Sequence, residues 1–183
     1  MHDSDLIRRW QLGERSAFDE LMLAWQPAIQ RFLMRMVGCA QTAEDLSQEV
    51  FLKAFQASDS YRERSKFSSW LYRIAANVAC DRKRTKHKAP VMIDTIEHAI
   101  ESKDRNDLDQ REIVMAVRAS LGSLAEEHRL VLVLRHYEQV SFEEISRITN
   151  TPSSTLKSRF STALRQLASE LRRRGIVPED LEL

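Results

Sequence analysis

The chain has 183 residues, 43% hydrophobic and 30% charged, with a formal net charge of +1 at pH 7. That balance is ordinary for a soluble globular protein of one domain or two small ones. The two cysteines, Cys39 and Cys80, make no CxxC or CxxH spacing and no disulfide framework, and no apolar run approaches the roughly 20 residues that span a bilayer. With no basic-then-apolar leader ahead of the first helix, the expectation is a cytoplasmic chain in a reducing compartment, holding no metal and no cofactor.

Near-zero net charge conceals segregation. From Tyr61 to Lys88 nine basic residues face two acidic ones, Glu63 and Asp81; Val91 to Glu112 carries seven acidic against three basic; Ser153 to Arg174 carries six basic against one acidic. Two basic blocks separated by an acidic one suggest two anion-binding surfaces joined by a different kind of segment. Four glycines and four prolines leave few breakers, so long helices are the natural reading, and there is no internal repeat or low-complexity tract.

In chain order, Leu6, Ile7, Trp10 and Leu12 precede a break at Gly13, and Ser16 with Asp19 has the form of a capping box for a pattern through Phe18, Leu21, Met22 and Trp25. Pro27 bends or restarts this helix without ending it, because Ile29, Phe32, Leu33, Met36 and Val37 continue the apolar face to Gly38. Thr42 with Asp45 opens the next helix, with Leu46, Val50, Phe51, Ala54 and Phe55 as its core stripe. Asp45, Gln48, Glu49 and Leu52 share a second face, which spacing alone reads as solvated.

A polar, turn-like stretch from Ala57 to Ser65 carries Tyr61 flanked by Arg62 and Arg64. From Phe67 the helical period returns, with Phe67, Trp70, Leu71, Ile74, Ala75 and Val78 inward. Rotated away lie Tyr72, Arg73, Asn77, Asp81 and Arg84, a mixture of ring, amide and cation that suits unstacked bases, and equally a surface helix with snorkelling arginines. Residues 89–110 are acidic and weakly periodic and read as a linker, which argues for two domains.

The second half opens with Ile113, Val114, Val117, Leu121 and Leu124, breaks around Gly122 and Ser123, and resumes at Leu130, Val131, Val133, Leu134 and Tyr137. Ser141 and Glu144 form a capping pair for a short helix ended by Asn150; Thr151 then caps, and Pro152 begins, a helix with Leu156, Phe160, Leu164, Leu167 and Leu171 inward. Ser154, Lys157, Ser158, Ser161 and Arg165 lie on its outer face. Short helix, tight turn and longer basic helix make a helix-turn-helix pattern, shared in its hydrophobic spacing with plain bundles.

Four segments, AEDLSQEVFLKAF, FSSWLYRIAANVACDRKR, LAEEHRLVLVLRHYEQVSFEEIS and TPSSTLKSRFSTALRQL, resemble in order and spacing the blocks of the extracytoplasmic-function (ECF) sigma factors of the sigma-70 family. The resemblance implies an all-α fold of two small helical domains joined by a flexible acidic linker: 1–88 as region 2, 89–110 as linker, 111–176 as region 4 and 177–183 as a tail. It implies a non-catalytic subunit that binds core RNA polymerase and directs promoter recognition and melting. Asp45, Gln48, Glu49 and Leu52 would dock on the clamp helices of the largest subunit, and region 4 on the flap of the second-largest.

By the same resemblance Tyr61, Arg62, Lys66, Trp70, Tyr72, Arg73, Asn77 and Arg84 serve the minus-ten element. Tyr72 and Asn77 contact the captured strand, Arg62, Lys66 and Arg73 support it, and Trp70 is core, wedge or both. Ser154, Lys157, Ser158, Ser161, Thr162 and Arg165 serve the minus-thirty-five element; arginine is frequent in the family where Thr162 stands, so contacts there are shorter and neutral. Promoter DNA and an anti-sigma factor are the other implied partners. The alternatives are an autonomous helix-turn-helix repressor or activator, which has no need of the DLSQEVFLKAF face, and an enzyme using His128 with Glu126 and Glu127, or His136 near Glu138, which lacks a nucleophile or phosphate loop beside them.

Overall fold

The computed structural model describes residues 3–58, 61, 66–86 and 105–176, with backbone alone at 83–86 and 105–112. Among these residues all regular structure is helical. The first half comprises α1 (Asp3–Gln11), α2 (Arg15–Val37), α3 (Ala40–Gln56) and α4 (Phe67–Lys86). The second comprises α5 (Arg105–Ser123), α6 (Glu126–Leu132), a π-helical turn (Val133–Tyr137), α7 (Phe142–Thr149) and α8 (Ser153–Arg173). Among the described residues no helix is long and apolar enough to cross a membrane.

Helix α2 is the hub. Its face of Phe18, Leu21, Ile29, Phe32, Leu33 and Met36 is buried, and it packs on α1, α3 and α4 and also on α5, α6 and the π turn. Pro27 lies inside it: a ring without an N–H forfeits one backbone bond on an exposed side, while apolar burial on both sides of it keeps the helix continuous. Gly38 ends it in the left-handed conformation, φ 76°, donating its N–H to the Met34 carbonyl at 2.8 Å.

The two halves share one hydrophobic core. Phe32, Leu71, Tyr72 and Val78 of the first half belong to the same buried cluster as Val131, Leu134, Val140 and Ile145 of the second, while Leu121, Leu124, Leu132 and Ala163 form a smaller cluster of their own. The separation into two helical units read from the sequence therefore comes with a packed arrangement between them, through α4 on α7 and α2 on α5.

Several local expectations change. Ser16 does not cap α2; Glu14 occupies that position, and the Ser16 hydroxyl donates to Glu14 Oε1 at 3.1 Å. Arg9 holds the same carboxylate and, with Ser16, lowers its pKa to about 2. Thr42 is buried within α3, which starts at Ala40. Pro152, not Thr151, is the N-cap of α8, with Ser153 the first helical residue. Phe55, expected in the core, is 41% exposed and leans edge-on against Phe18 with Arg15 over its ring.

Residues 105–110, read as linker, belong to α5. They lack apolar periodicity, but they also lack Gly and Pro, so a helix anchored further on by the buried Leu121 propagates back through them. The rest of the linker reading, 89–104, and the tail 177–183 lie outside the described residues, as do Arg62 and the side chain of Arg84. By contrast, the Ser141 capping box forms in full, with Ser141 Oγ accepting from the Glu144 N–H at 3.2 Å and Glu144 Oε2 accepting from the Ser141 N–H at 3.3 Å.

Candidate nucleic-acid interface

Three helix faces carry the residues singled out from the sequence. On α3 the inner side buries Ala43, Leu46, Ser47, Val50 and Ala54. The outer side leaves Asp45, Gln48, Glu49 and Leu52 exposed together, and Leu52 is 56% exposed. Glu49 pairs with Lys53 at 2.8 Å, one turn on, with both side chains largely in solvent, so the pair adds little to stability.

On α4 the period delivers Phe67, Trp70, Leu71, Ala75 and Val78 inward as expected. Trp70 and Tyr61 are both buried, with their rings 5.3 Å apart in a cluster completed by Trp10 and Phe67. Arg73, Asn77 and Asp81 recur every fourth residue and are exposed along one edge.

Tyr72 departs from the sequence reading. It does not share the outer edge with Arg73 and Asn77: it is 4% exposed, set edge-on against Phe32 and Trp25, and its hydroxyl donates to Glu138 Oε2 at 2.5 Å. The reason is tertiary. Helical periodicity assigns α4 one buried stripe, but Trp25 and Phe32 of α2 pack on the Tyr72 ring, Glu138 of the second half takes its hydroxyl, and Ala76 and Ala79 are buried as well. Burial, and then the Glu138 carboxylate, raise the Tyr72 pKa far above the usual phenol range, so it remains a donor.

Glu138 is the centre of the contact between the halves. Its side chain is 9% exposed, and its other oxygen accepts from Arg35 Nη1 at 3.2 Å. The Arg35 guanidinium lies 4.3 Å from the centre of the Tyr137 ring. Lys66, at the start of α4, reaches Glu144 Oε1 at 3.0 Å. The Glu144 carboxyl is pushed up by burial but held below its ordinary range overall by Lys66 and Ser141.

A third tie is Arg129, 3% exposed on α6, which donates to the Met36 carbonyl at 2.8 Å and to the Leu124 carbonyl at 3.1 Å. Met36 is in the last turn of α2, where carbonyls lack helical partners and the helix dipole favours a cation. Burial lowers the Arg129 pKa, though Glu126 works against that shift.

On α8, Leu156, Ala163 and Leu171 are buried, and Ser154, Lys157, Ser158, Ser161 and Arg165 are exposed; Thr162 is half-buried with Arg165 Nη2 at 3.4 Å from its Oγ1. The preceding turn is set by Asn150 in the left-handed region, φ 51°. Arg159 ties α8 to α6 through Glu127 at 2.8 Å, and Phe160 meets Phe142 of α7 edge-on. This short helix, turn and longer helix form a helix-turn-helix whose outer side presents small polar and basic groups.

His128 Nδ1 lies 3.1 Å from Gln166 Oε1, Glu127 is engaged by Arg159, and His136 stands edge-on to Tyr137. Among the described residues no group of three or more His, Cys, Asp or Glu is placed to hold a metal ion.

Comparison with known proteins follows this layout. Residues 21–89 match the family profile described as Sigma-70 region 2, and residues 114–167 the one described as Sigma-70, region 4. The chain belongs to the sigma-70 family. It is 36% identical to the RNA polymerase sigma-H factor of Pseudomonas aeruginosa, over 88% of this chain and 89% of that protein. To the ECF RNA polymerase sigma-E factor of Escherichia coli K12 it is 32% identical, over 88% and 90%. It is an alternative sigma factor of the ECF group, a transcription-initiation factor.

Two solved structures share the fold at TM-score 0.71. One is the sigma factor RpoE in complex with the anti-sigma factor NepR from Bartonella quintana, 23% identical over 85% of this chain and 96% of that one. The other is CnrH in complex with the cytosolic domain of CnrY, 21% identical over 93% and 97%.

Sequence reasoning did not find the ties between the halves through Arg35, Arg129 and Glu138. Their partners are 103, 93 and 66 residues away, and no local spacing signals such pairings.

Proposed function

We propose that the three faces divide the work of initiation. The α3 face of Asp45, Gln48, Glu49 and Leu52 docks on the clamp helices of the largest core RNA polymerase subunit. The α4 edge of Arg73 and Asn77, with Lys66 and the preceding segment that includes Arg62, captures the minus-ten strand. The α8 face of Ser154, Lys157, Ser158, Ser161, Thr162 and Arg165 reads the minus-thirty-five duplex in the major groove.

The observation that carries this reading is Leu52, exposed among acids on a helix whose opposite face is core. A repressor acting alone has no use for that surface. Melting follows from capture: base contacts offset the few kcal/mol lost on unstacking, so no catalytic group is required and none is assigned. Tyr61 and Trp70 are buried, so they serve this surface as support and not as base contacts. Arg84 and the basic residues beside it hold backbone phosphates. The factor acts in the cytoplasm on core polymerase, and region 4 meets the flap of the second-largest subunit. An anti-sigma factor covering these faces is supported by the two structural relatives, both solved with such a partner or a cytosolic partner domain.

Asp45→Lys and Glu49→Lys are expected to abolish co-purification with core polymerase while leaving the fold intact; retention at wild-type level refutes the docking assignment. Asn77→Ala is expected to reduce permanganate reactivity of the melted region more than initial duplex binding, and equal reactivity refutes the capture assignment.

A further inference from the structure

Helix α1 lies outside the stretch that matches Sigma-70 region 2, residues 21–89, and carries none of the three faces described above. We propose that α1 positions the minus-ten capturing segment through Trp10, whose ring fastens together the two ends of the stretch from Arg62 to Lys66. This rests on the assignment of that stretch and the α4 edge to the minus-ten strand.

Tyr61 and Phe67 flank the stretch, whose Arg62, Arg64 and Lys66 are cationic. The two flanking rings meet edge-on, with centroids 5.7 Å apart. Trp10 touches both: it stacks on Tyr61 at 6.0 Å and 22°, and it meets Phe67 edge-on at 6.4 Å. Tyr61 is 5% exposed and Phe67 3%, so each end of the stretch is sunk in the core and held to the same third ring. Ring pairs at these separations attract beyond the area they bury.

A clamp of this kind matters to binding as well as to folding. Bringing the ends of a short piece of chain together costs conformational entropy. Where the fold has already met that cost, a ligand does not bear it again on binding. A strand held by Arg62 and Lys66 therefore has less chain to order when Trp10 joins their two anchors.

Helix α1 is itself fixed for this task. Nine residues make a helix that is marginal alone in water, so its place depends on contacts. Ile7, 6% exposed, belongs to the core cluster that holds Tyr61 and Phe67. Asp3 Oδ2 accepts from Trp25 Nε1 at 3.2 Å, and Trp25 meets Phe67 at 6.1 Å. Across the turn into α2, Arg9 Nε donates to Glu14 Oε2 at 2.8 Å, and the Trp10 ring lies 5.1 Å from that of Phe18. Trp10 is thus a positioning residue, acting on the strand only through Tyr61 and Phe67.

The test uses the full chain bound to core polymerase. It reads permanganate reactivity of the melted region on a promoter carrying both elements and, by anisotropy, affinity for a fluorescein-labelled single-stranded oligonucleotide of the minus-ten non-template sequence. Trp10→Ala loses two ring contacts and is expected to lower both readouts roughly fivefold or more, with core co-purification and minus-thirty-five duplex binding retained. Trp10→Phe keeps a ring in place and should restore most of the loss. Met34→Ala is the stability control, since Met34 is partly buried against the same core further along α2. At temperatures where both variants are folded by circular dichroism, it should leave capture unchanged.

Unchanged capture in Trp10→Ala overturns the proposal, as do equal losses in Trp10→Ala and Met34→Ala. Adding Tyr61→Leu to Trp10→Ala should cost little more than either change alone, because both remove one stack; fully additive losses also overturn it. If Trp10→Ala does not fold, Tyr61→Leu breaks the stack from the other side and carries the same expectation. Failure of the underlying assignment looks different: Lys66→Ala and Asn77→Ala would then leave both readouts unchanged. If only the positioning is wrong, those two variants still lose capture while Trp10→Ala does not.

Discussion

Helices α4 and α8 carry similar chemistry, cations and hydroxyl or amide groups on the side away from a leucine- and aromatic-rich stripe, yet the fold treats them oppositely. The outer face of α8 is left to solvent, held in place from behind by Arg159 on Glu127 and by Phe160 on Phe142. The face of α4 is divided: Arg73 and Asn77 remain outside, while Tyr72 is drawn under Glu138 and Lys66 is paired with Glu144. The difference teaches that a polar reading surface is defined by what packs against it as much as by its composition. Groups that meet partners within the chain, as Tyr72 and Lys66 do, are engaged by the fold; the outer groups of α8 stay exposed.

The largest effect that would disturb this contrast lies beneath Tyr72. Phe32 is fully buried and its ring is 5.4 Å from that of Tyr72. Phe32→Ala should cost about 3–5 kcal/mol in denaturant unfolding through the cavity it leaves. Any fraction that stays folded should keep its α8-dependent duplex affinity, and loss of both together would tie the two faces more closely than proposed.

Next is the tie between α6 and α2. Arg129→Met leaves the Met36 and Leu124 carbonyls without their buried donor and should cost about 1–3 kcal/mol per group left unsatisfied. Hydrogen exchange should rise at the α2–α6 contact before it rises in the α3 core; uniform protection would show that Arg129 does not hold the halves.

On the open side, Lys157→Ala should lose about 1–3 kcal/mol of discrimination among minus-thirty-five sequences in competitive binding. Uniform weakening across sequences would make Lys157 a phosphate contact. The smallest effect is expected at Ser141→Ala, about 1 kcal/mol from loss of the α7 cap, visible as a small fall in Tm. Because Glu144 answers the same cap and also holds Lys66, this change should loosen the Lys66 pair as well.

Much of the protein could be read from its residues. Helix positions, the inward stripe of α3 except Phe55 and that of α8 except Leu164, which is 42% exposed, the Ser141–Glu144 cap, the Asn150 stop and the exposed set Asp45, Gln48, Glu49 and Leu52 all follow from spacing of three and four residues. Where the reading slipped, a competing local group was responsible. At the start of α2, Glu14, held by Arg9, took the place assigned to Ser16, and α3 began two residues ahead of Thr42 because the chain turns at Gly38 and Cys39. The burial of Tyr72 was out of reach, since its cause lies on a helix that is remote in sequence.

Sequence by itself determined an all-helical chain of the sigma-70 family, its helix-turn-helix and the exposed acidic face of α3, because periodicity, caps and breakers act within a few residues of one another. Tertiary structure alone decided that the halves close through Glu138, Glu144 and Arg129. Those pairings join residues far apart in the chain, and a buried donor or acceptor is satisfied by whatever the fold brings to it, which no local pattern specifies.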